Sequence, residues 1–499
     1  MKEQSPAILG LLVIAIIIVL SMLWRALKHR PSLPRSDELI RLTPTDSLTL
    51  EQACSGVLVV GSTGSGKSSG PGEAMICGLL RQGAGVLWLT AKVDEAERAR
   101  RIVGDCGRMD DFIRVAPASG FVCDPLQVEL ASDGGSVQSA AQLLDLIVEL
   151  TSRESAGRGD EKFWSLSFQT HFYFAISAVW LAKRRATIPE VYRLIVSGPN
   201  SSEEVNSPEW RRSSFCAECL LEAADRTSGL ELELCLQYWL ETWARLSDKT
   251  KSVVQSATLN LLSKFMTGPV AELVVGRTNL FPSWVLHGKV MILDVPALRF
   301  QQPGVFYQVL FKTLVARQTL RRKISANMRP VVIHADEAQL FITSLDAQIQ
   351  TVARQSGLVS LALTQSLPML IAQLGGSEKA RQEVESWIAG HQTLFLCANT
   401  CPMTNEFFSK IFGSSRHMFL SGQCSPAGGD LFDALMGNES RFSAGWNEQW
   451  FADFPPGEFA NLLKGGFYNR FLVEAVAFQS GRLFSNGKNH LRVCFQQRR

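Results

Sequence analysis

The chain has 499 residues, of which 46% are hydrophobic and 19% are charged. The length predicts about three domains, and the low share of charged residues argues against long disordered tails. The formal net charge of +3 is nearly balanced, so charge alone does not indicate a nucleic-acid-binding protein.

The first element along the chain is an uncharged apolar stretch at residues 7–24. As a helix it is about 27 Å long, which is close to the hydrocarbon thickness of a bilayer. A buried hydrophobic helix is the alternative, but uncharged runs of this length are rare in soluble cores. Lys2 precedes the stretch, whereas Arg25, Lys28, Arg30 and Arg35 follow it. Residues 1–30 are therefore predicted to be a single-pass membrane anchor, with the rest of the chain in the cytoplasm.

Short apolar runs alternate with helical patterns after a linker at residues 31–50. Strands are predicted at residues 56–60, 86–89 and 112–115, a helix at 68–81 and a charged helix at 94–102. Alternation of this kind is typical of an α/β fold with a parallel sheet.

The pattern changes between residues 136 and 275, where apolar residues recur at helical spacing and strand signals are sparse. This region is predicted to be an all-α insertion domain, with a Ser-, Asn- and Pro-containing loop at residues 197–214. Strand signals then return at residues 290–293, 331–333, 358–363, 393–396 and 471–478. The sheet domain is therefore predicted to be split into residues 51–135 and 276–499.

Two further residue patterns are interpreted as ordinary parts of the fold and not as functional sites. Cys216 and Cys219 form a CxxC pair, but no second pair has clean zinc-ligand spacing, so the eleven cysteines are interpreted as reduced thiols. Five basic residues are interpreted as solvated helix faces, although they are also candidates for lining a channel: Arg98, Arg100, Arg101, Lys379 and Arg381.

A glycine-rich loop with the pattern GxxxxGK[ST] lies between the first predicted strand and the first helix. It consists of Gly61, Ser62, Thr63, Gly64, Ser65, Gly66, Lys67 and Ser68. Glycines let backbone N–H groups converge on phosphates, and the helix N-terminus adds positive field. Lys67 is predicted to reach the β- and γ-phosphates of ATP, and the Ser68 hydroxyl to bind Mg²⁺.

A phosphate-binding loop of this kind also needs carboxylates for the metal and for the attacking water. Asp336 and Glu337 follow the strand predicted at residues 331–333. Asp336 is the candidate metal ligand and Glu337 the candidate base. Asp294, at the end of the strand at 290–293, is a competing acid that lacks a second carboxylate after it.

Two polar residues near the next strand are further candidates. Gln365 ends that strand and either senses the γ-phosphate or caps the following helix. Arg354 lies before the strand and is either a surface arginine or an arginine that completes a neighbouring subunit's site.

Taken in order, these segments resemble the type IV secretion coupling proteins, the TraG/TraD-like conjugation ATPases of the FtsK/HerA group of RecA-like motors. Besides the loop at 61–68, Lys92 lies where that family has an Asp-x-Lys-x-Glu stretch, and Phe163 and Trp164 resemble the start of its all-α domain. The remaining matching segments are residues 288–296 (GKVMILDVP), 334–339 (HADEAQ), 351–357 (TVARQSG), 364–366 (TQS), 456–459, 465–466 and 481–484.

The resemblance implies a RecA-like P-loop nucleotide-binding domain and an ATPase that uses ATP and Mg²⁺. It implies a homo-hexamer at the bacterial inner membrane that moves DNA or a relaxase–DNA complex towards type IV secretion channel proteins. It also implies that Arg354 acts on a neighbouring subunit and that Gln365 senses the γ-phosphate.

Three features depart from the family pattern and bear on the substrate and the secretion partner. One membrane helix is predicted where the family often has two, Thr90 and Ala91 replace the acidic position before Lys92, and His334 stands where an apolar residue is common. Two other functions therefore stay open. One is a P-loop ATPase of protein secretion, or of a mobile-element or defence system, with non-DNA cargo. The other is a non-hydrolysing membrane scaffold, against which the Asp336–Glu337 pair argues.

Overall fold

The computed structural model of the protein describes residues 38–152, 161–325, 328–425 and 441–497. Within those ranges no helix is both long enough and apolar enough to cross a membrane. The anchor predicted at residues 7–24 lies outside the described residues.

Most of the strands belong to one large sheet. The strands of the described residues are β1 (Glu38–Arg41), β2 (Ser47–Thr49), β3 (Val57–Val60), β4 (Gly85–Leu89), β5 (Phe112–Val115), β6 (Val290–Leu293), β7 (Val331–Ala335), β8 (Leu358–Thr364), β9 (Thr393–Cys397), β10 (Ser414–Ser425), β11 (Arg441–Ala452), β12 (Leu472–Gln479) and β13 (His490–Gln496). Nine of them form a sheet in the order β13–β12–β9–β3–β8–β7–β4–β6–β5. The seven strands from β9 to β5 are parallel, and β12 and β13 are antiparallel additions beyond β9.

Both faces of the sheet are covered, which explains why its central strands are continuous apolar runs. Successive residues of a strand point to opposite faces: Val57 and Val59 enter one core, and Leu58 and Val60 enter the other. The predicted strands in this sheet are all present, with ends that differ by at most two residues.

Helices pack on both sides of the sheet and form the long insertion between β5 and β6. Those of the described residues are α1 (Leu50–Cys54), α2 (Glu73–Arg81), α3 (Glu95–Asp105), α4 (Pro125–Ala131), α5 (Val137–Ser152), α6 (Glu161–Lys183), α7 (Ile188–Val196), α8 (Ser202–Asn206), α9 (Pro208–Ser213), α10 (Phe215–Arg226), α11 (Leu230–Gln237), α12 (Asp248–Met266), α13 (Ala271–Val274), α14 (Ala297–Arg321, kinked at Gln301), α15 (Ser344–Ala353), α16 (Leu367–Gln373), α17 (Glu378–Ala389) and α18 (Pro402–Phe412). Helices α2 and α3 cover one face of the sheet, and α14 covers the other.

The insertion contains helices and no strand in its described part, residues 116–152 and 161–289. The prediction of a loop at 197–214 is wrong in part, because this segment contains the short helices α8 and α9. Ser201 and Ser207 cap these helices by accepting backbone hydrogen bonds from Glu204 and Glu209, and Pro208 occupies a first-turn position. Serine caps and a first-turn proline are helix-start signals as well as loop-forming residues.

Two other local structures depart from the sequence-based expectation. The helix predicted at 68–81 begins with a wide π-helical turn, Ser68–Gly72, which contains Pro71 and in which the Gly72 N–H donates to the Lys67 carbonyl at 2.9 Å. The sequence patterns do not predict five strands of the structure: β1, β2, β10, β11 and β13. Among the described strands, β10 and β11 pair only with each other. These strands are at edges or in two-stranded pairs, where weak apolar patterning leaves pairing to the tertiary structure.

Candidate functional site

The glycine-rich loop connects β3 to the π-helical turn at the carboxyl edge of the parallel sheet. Backbone hydrogen bonds join it to the ends of both neighbouring strands: Gly61 N donates to Thr364 O at 3.1 Å, and Ser62 N donates to Ala398 O at 3.0 Å. Gly64 and Gly66 adopt left-handed backbone angles, with φ of 74° and 82°. The loop is therefore fixed to the sheet at its start and shaped by glycine in its middle.

Gly66 also lies against β12, the strand next to the edge strand β13. A Cβ atom at this position would collide with the buried Val473 side chain, at 2.9 Å from Cγ1 and closer still to Cγ2. At Gly64, by contrast, an added Cβ would meet nothing within 4 Å. Glycine is therefore required at position 66 both by the packing against Val473 and by the left-handed backbone angle.

The two carboxylates predicted to act with the loop lie beside it. They follow β7, which is separated from β3 by β8, and parallel strands bring both ends to the same edge of the sheet. The Ser68 hydroxyl donates a hydrogen bond to Asp336 Oδ1, and Lys67 Nζ lies 3.8 Å from Glu337 Oε1. Lys67, Asp336 and Glu337 are all buried.

Glu337 accepts hydrogen bonds from residues of three different segments. Lys92 Nζ donates to its Oε1 at 3.1 Å, Gln365 Nε2 donates to both oxygens at 3.2 Å, and Gln339 Nε2 donates to Oε2 at 2.8 Å. Gln365 in turn accepts from the Thr63 hydroxyl at 2.9 Å. Gln365 therefore links the glycine-rich loop to the candidate base.

Residues of the segment that follows β4 lie beside Asp336. Arg98 Nη1 lies 3.6 Å from Asp336 Oδ2, and Arg98 Nη2 donates to the Ser68 carbonyl at 2.6 Å. Glu95 accepts from the Ala91 N–H at 2.7 Å. Burial, and then the nearby Asp336 carboxylate, raises the pKa of Glu95 to about 7. The neighbourhood of Asp336 therefore contains one carboxyl group that titrates near neutral pH.

Lys92 carries its positive charge at neutral pH. Burial acts to lower the pKa of its ammonium group, but hydrogen bonding to Glu337 and the attraction of that carboxylate outweigh burial and raise the pKa above its usual value.

Arg354 lies away from these residues in the same chain. It follows α15 and precedes β8, so it is at the amino edge of the sheet, opposite the glycine-rich loop. Its side chain is 57% exposed, and Nη2 lies 2.5 Å from Glu51 Oε1. The competing acid Asp294 pairs with Arg114 at 2.6 Å. The structure thus brings the loop, Asp336, Glu337 and Gln365 together, whereas Arg354 lies at the opposite edge of the sheet and Asp294 pairs with Arg114. The roles of these residues in hydrolysis stay predictions.

Sequence reasoning does not assign Gln339, Glu95 or Arg98 to this site. Gln339 follows Glu337 by two residues, which is a usable signal. The sequence pattern puts Arg98 on a solvated helix face, and only the packing of α3 beside the loop distinguishes it from Arg100, whose side chain is 60% exposed.

Metal-ligand clusters of the His, Cys, Asp and Glu type are absent from the part of the chain that the structure describes. Cys216 and Cys219 are buried free thiols on α10, and burial raises the pKa of Cys219 to about 12. Ser68 and Asp336 instead place two hard oxygen donors side by side, which suits a Mg²⁺ ion that completes its coordination with phosphate and water.

Comparison with known proteins found similarity at the level of structure. No protein-family model and no curated sequence matches the chain. The bacterial conjugative coupling protein TrwBdeltaN70, in its unbound monoclinic form, has 15% identity and a TM-score of 0.60 over 94% of this chain and 90% of that chain. Plasmid coupling protein TrwB in complex with ADP and Mg²⁺ has 13% identity and a TM-score of 0.60 over 95% and 92%. TrwB in complex with the ATP analogue ADPNP has 14% identity and a TM-score of 0.59 over 94% and 91%. At these identities the likeness establishes a shared fold.

Proposed function

We propose that the chain is a membrane-anchored, ATP-hydrolysing translocase of DNA or a relaxase–DNA complex, acting as a coupling protein in conjugative type IV secretion. The observation that carries the ATPase part is the convergence of Lys67, Ser68 and Gln365 on the Asp336–Glu337 pair. Support for the conjugative role comes from the likeness to the coupling protein TrwB, which extends over 94% of the chain.

The chemistry follows from the positions of the side chains. The loop N–H groups and Lys67 bind the phosphates of ATP, and Glu337 accepts a hydrogen bond from the attacking water and orients it towards the γ-phosphate. Ser68 and Asp336 are the ligands of Mg²⁺, which supplies charge neutralisation on the phosphate oxygens. Gln365 is proposed to sense the terminal phosphate, and its hydrogen bonds to Glu337 and to Thr63 support that role.

The proposed assembly is a homo-hexamer with nucleotide sites between subunits. Arg354 is exposed on the edge of the sheet opposite its own loop, which suits a residue that a subunit supplies to its neighbour. The proposed division of the chain is an anchor at 1–30, a linker at 31–50 that includes the paired strands β1 and β2, a split nucleotide-binding domain at 51–135 and 276–499, and an all-α domain at 136–275. The anchor is proposed to lie in the bacterial inner membrane, with the catalytic part in the cytoplasm.

The direct test is steady-state ATP hydrolysis by the full-length protein and by the Glu337→Gln variant. We expect the variant to keep ATP binding and to lose turnover by about 100-fold or more, because the amide preserves shape but cannot accept a proton. Glu383→Gln, a change on the surface of α17, is the matched control. Wild-type turnover by Glu337→Gln would contradict the assignment of the base.

The cargo is tested by adding single-stranded or double-stranded DNA to the same assay. Stimulation of the hydrolysis rate by DNA supports a DNA translocase. Active hydrolysis that neither form of DNA stimulates favours the alternative of protein or other non-DNA cargo.

A further inference from the structure

Lys92 lies in the loop between β4 and α3 and contacts the same carboxylate oxygen as the lysine of the glycine-rich loop. Its Nζ is 3.1 Å from Glu337 Oε1, and Lys67 Nζ is 3.8 Å from that atom. Two ammonium groups therefore flank one oxygen of the candidate base, although one positive charge is enough to neutralise it.

The hydrogen-bonding capacity of Glu337 is filled by these contacts. An ionised carboxylate has about four acceptor positions, and Lys92, Gln365 and Gln339 occupy them in the structure. A water molecule can bind to Glu337 for attack on a phosphate only if one of these donors moves away.

Lys92 is the donor that is best able to move. Its side chain is 46% exposed, whereas that of Lys67 is 7% exposed. Gln339 is buried and accepts from the Thr364 hydroxyl at 3.0 Å, and Gln365 is bonded to Thr63. The four-carbon stem of a lysine also allows large displacements of the ammonium group.

We propose that Lys92 is a second phosphate-binding lysine, which leaves Glu337 and contacts the γ-phosphate when ATP is bound. The inference rests on the proposed ATPase function and adds a residue that distinguishes ATP from ADP. Glu337 and Lys67 are both proposed to act at the γ-phosphate, and Lys92 contacts the same Glu337 oxygen as Lys67, so the Lys92 ammonium group is within reach of the same phosphate. ADP lacks this phosphate, so Lys92 then stays on Glu337 and keeps the base occupied.

The experiment compares equilibrium binding of ADP and of the non-hydrolysable analogue β,γ-imido-ATP to the full-length protein. We expect Lys92→Met to raise the Kd of the ATP analogue about tenfold or more and that of ADP less than about twofold. Lys92→Arg keeps the charge and is expected to restore most of the affinity for the analogue. Lys379→Met, which removes an exposed lysine paired with Glu383 on α17, is expected to change neither Kd.

The outcomes separate this inference from the proposed function. Binding of neither nucleotide by the wild-type protein contradicts the proposed function itself. If the wild type binds both, then equal weakening of both by Lys92→Met, or no weakening of either, overturns the inference, because a purely structural lysine does not distinguish the two nucleotides. Lys67→Met serves as a positive control, since it is expected to weaken the binding of both nucleotides.

Discussion

Substitution of Gly66 by alanine tests whether the glycine-rich loop is fixed by packing against strand β12. A left-handed backbone angle costs a non-glycine residue about 1–2 kcal/mol. The collision of the new Cβ with the buried Val473 side chain adds about 1–3 kcal/mol of overpacking. We therefore expect Gly66→Ala to lower the free energy of unfolding by about 2–5 kcal/mol.

Gly64 provides the matched control for this substitution. Its φ of 74° is close to the 82° of Gly66, but a Cβ atom added at Gly64 would have no other atom within 4 Å, so Gly64→Ala carries the backbone cost alone. We expect it to lower the free energy of unfolding by only about 1–2 kcal/mol.

The assay is urea unfolding of the full-length variants, followed by far-UV circular dichroism, in a double-mutant cycle with Val473→Ala. Val473→Ala removes both Cγ atoms, so it is expected to recover about 1 kcal/mol or more of the cost of Gly66→Ala. With Gly64→Ala it is expected to be additive to within about 0.5 kcal/mol. Equal costs for the two glycine variants, together with no coupling between Gly66 and Val473, would refute the packing argument.

Two further predictions concern the assembly and the pH dependence. Arg354→Ala is expected to lower ATP turnover about 1000-fold. Mixing it with Glu337→Gln subunits is expected to restore activity, because each variant supplies the residue that the other lacks. Arg381→Ala is the control, and a mixture without recovered activity argues against the action of Arg354 on a neighbouring subunit. Glu95 has a pKa raised from 4.5 to about 7, so the unfolded chain loses this proton first and the folded state loses stability as the pH rises from about 4.5 to 7. Glu95→Gln is expected to weaken this pH dependence in urea unfolding, whereas substitution of the exposed Glu97 by glutamine is not. An unchanged pH profile for Glu95→Gln would argue against a raised pKa of Glu95 in the folded state.

Much of the fold could be predicted because its signals are local. The central strands of a parallel sheet are buried on both faces, so each is a short continuous apolar run that is recognisable without knowledge of its neighbours. The strands that sequence patterns miss lie at edges or in two-stranded pairs, where the residues alternate weakly and the pairing depends on distant segments. The two short helices at 202–206 and 208–213 escape prediction because serine and proline begin helices and also form loops.

The sequence by itself determined the glycine-rich loop and the Asp336–Glu337 pair, since each is a contiguous motif at the end of an apolar strand. Only the tertiary structure decided that β7 lies two strands from β3, which brings Ser68 to Asp336. It also decided that Gln365 bonds to Glu337 while Arg354, eleven positions earlier, lies at the opposite edge of the sheet. The physical reason is that strand order and direction set which distant residues meet, and Lys92 reaches Glu337 through 245 positions of intervening chain only because β4 is hydrogen-bonded to β7.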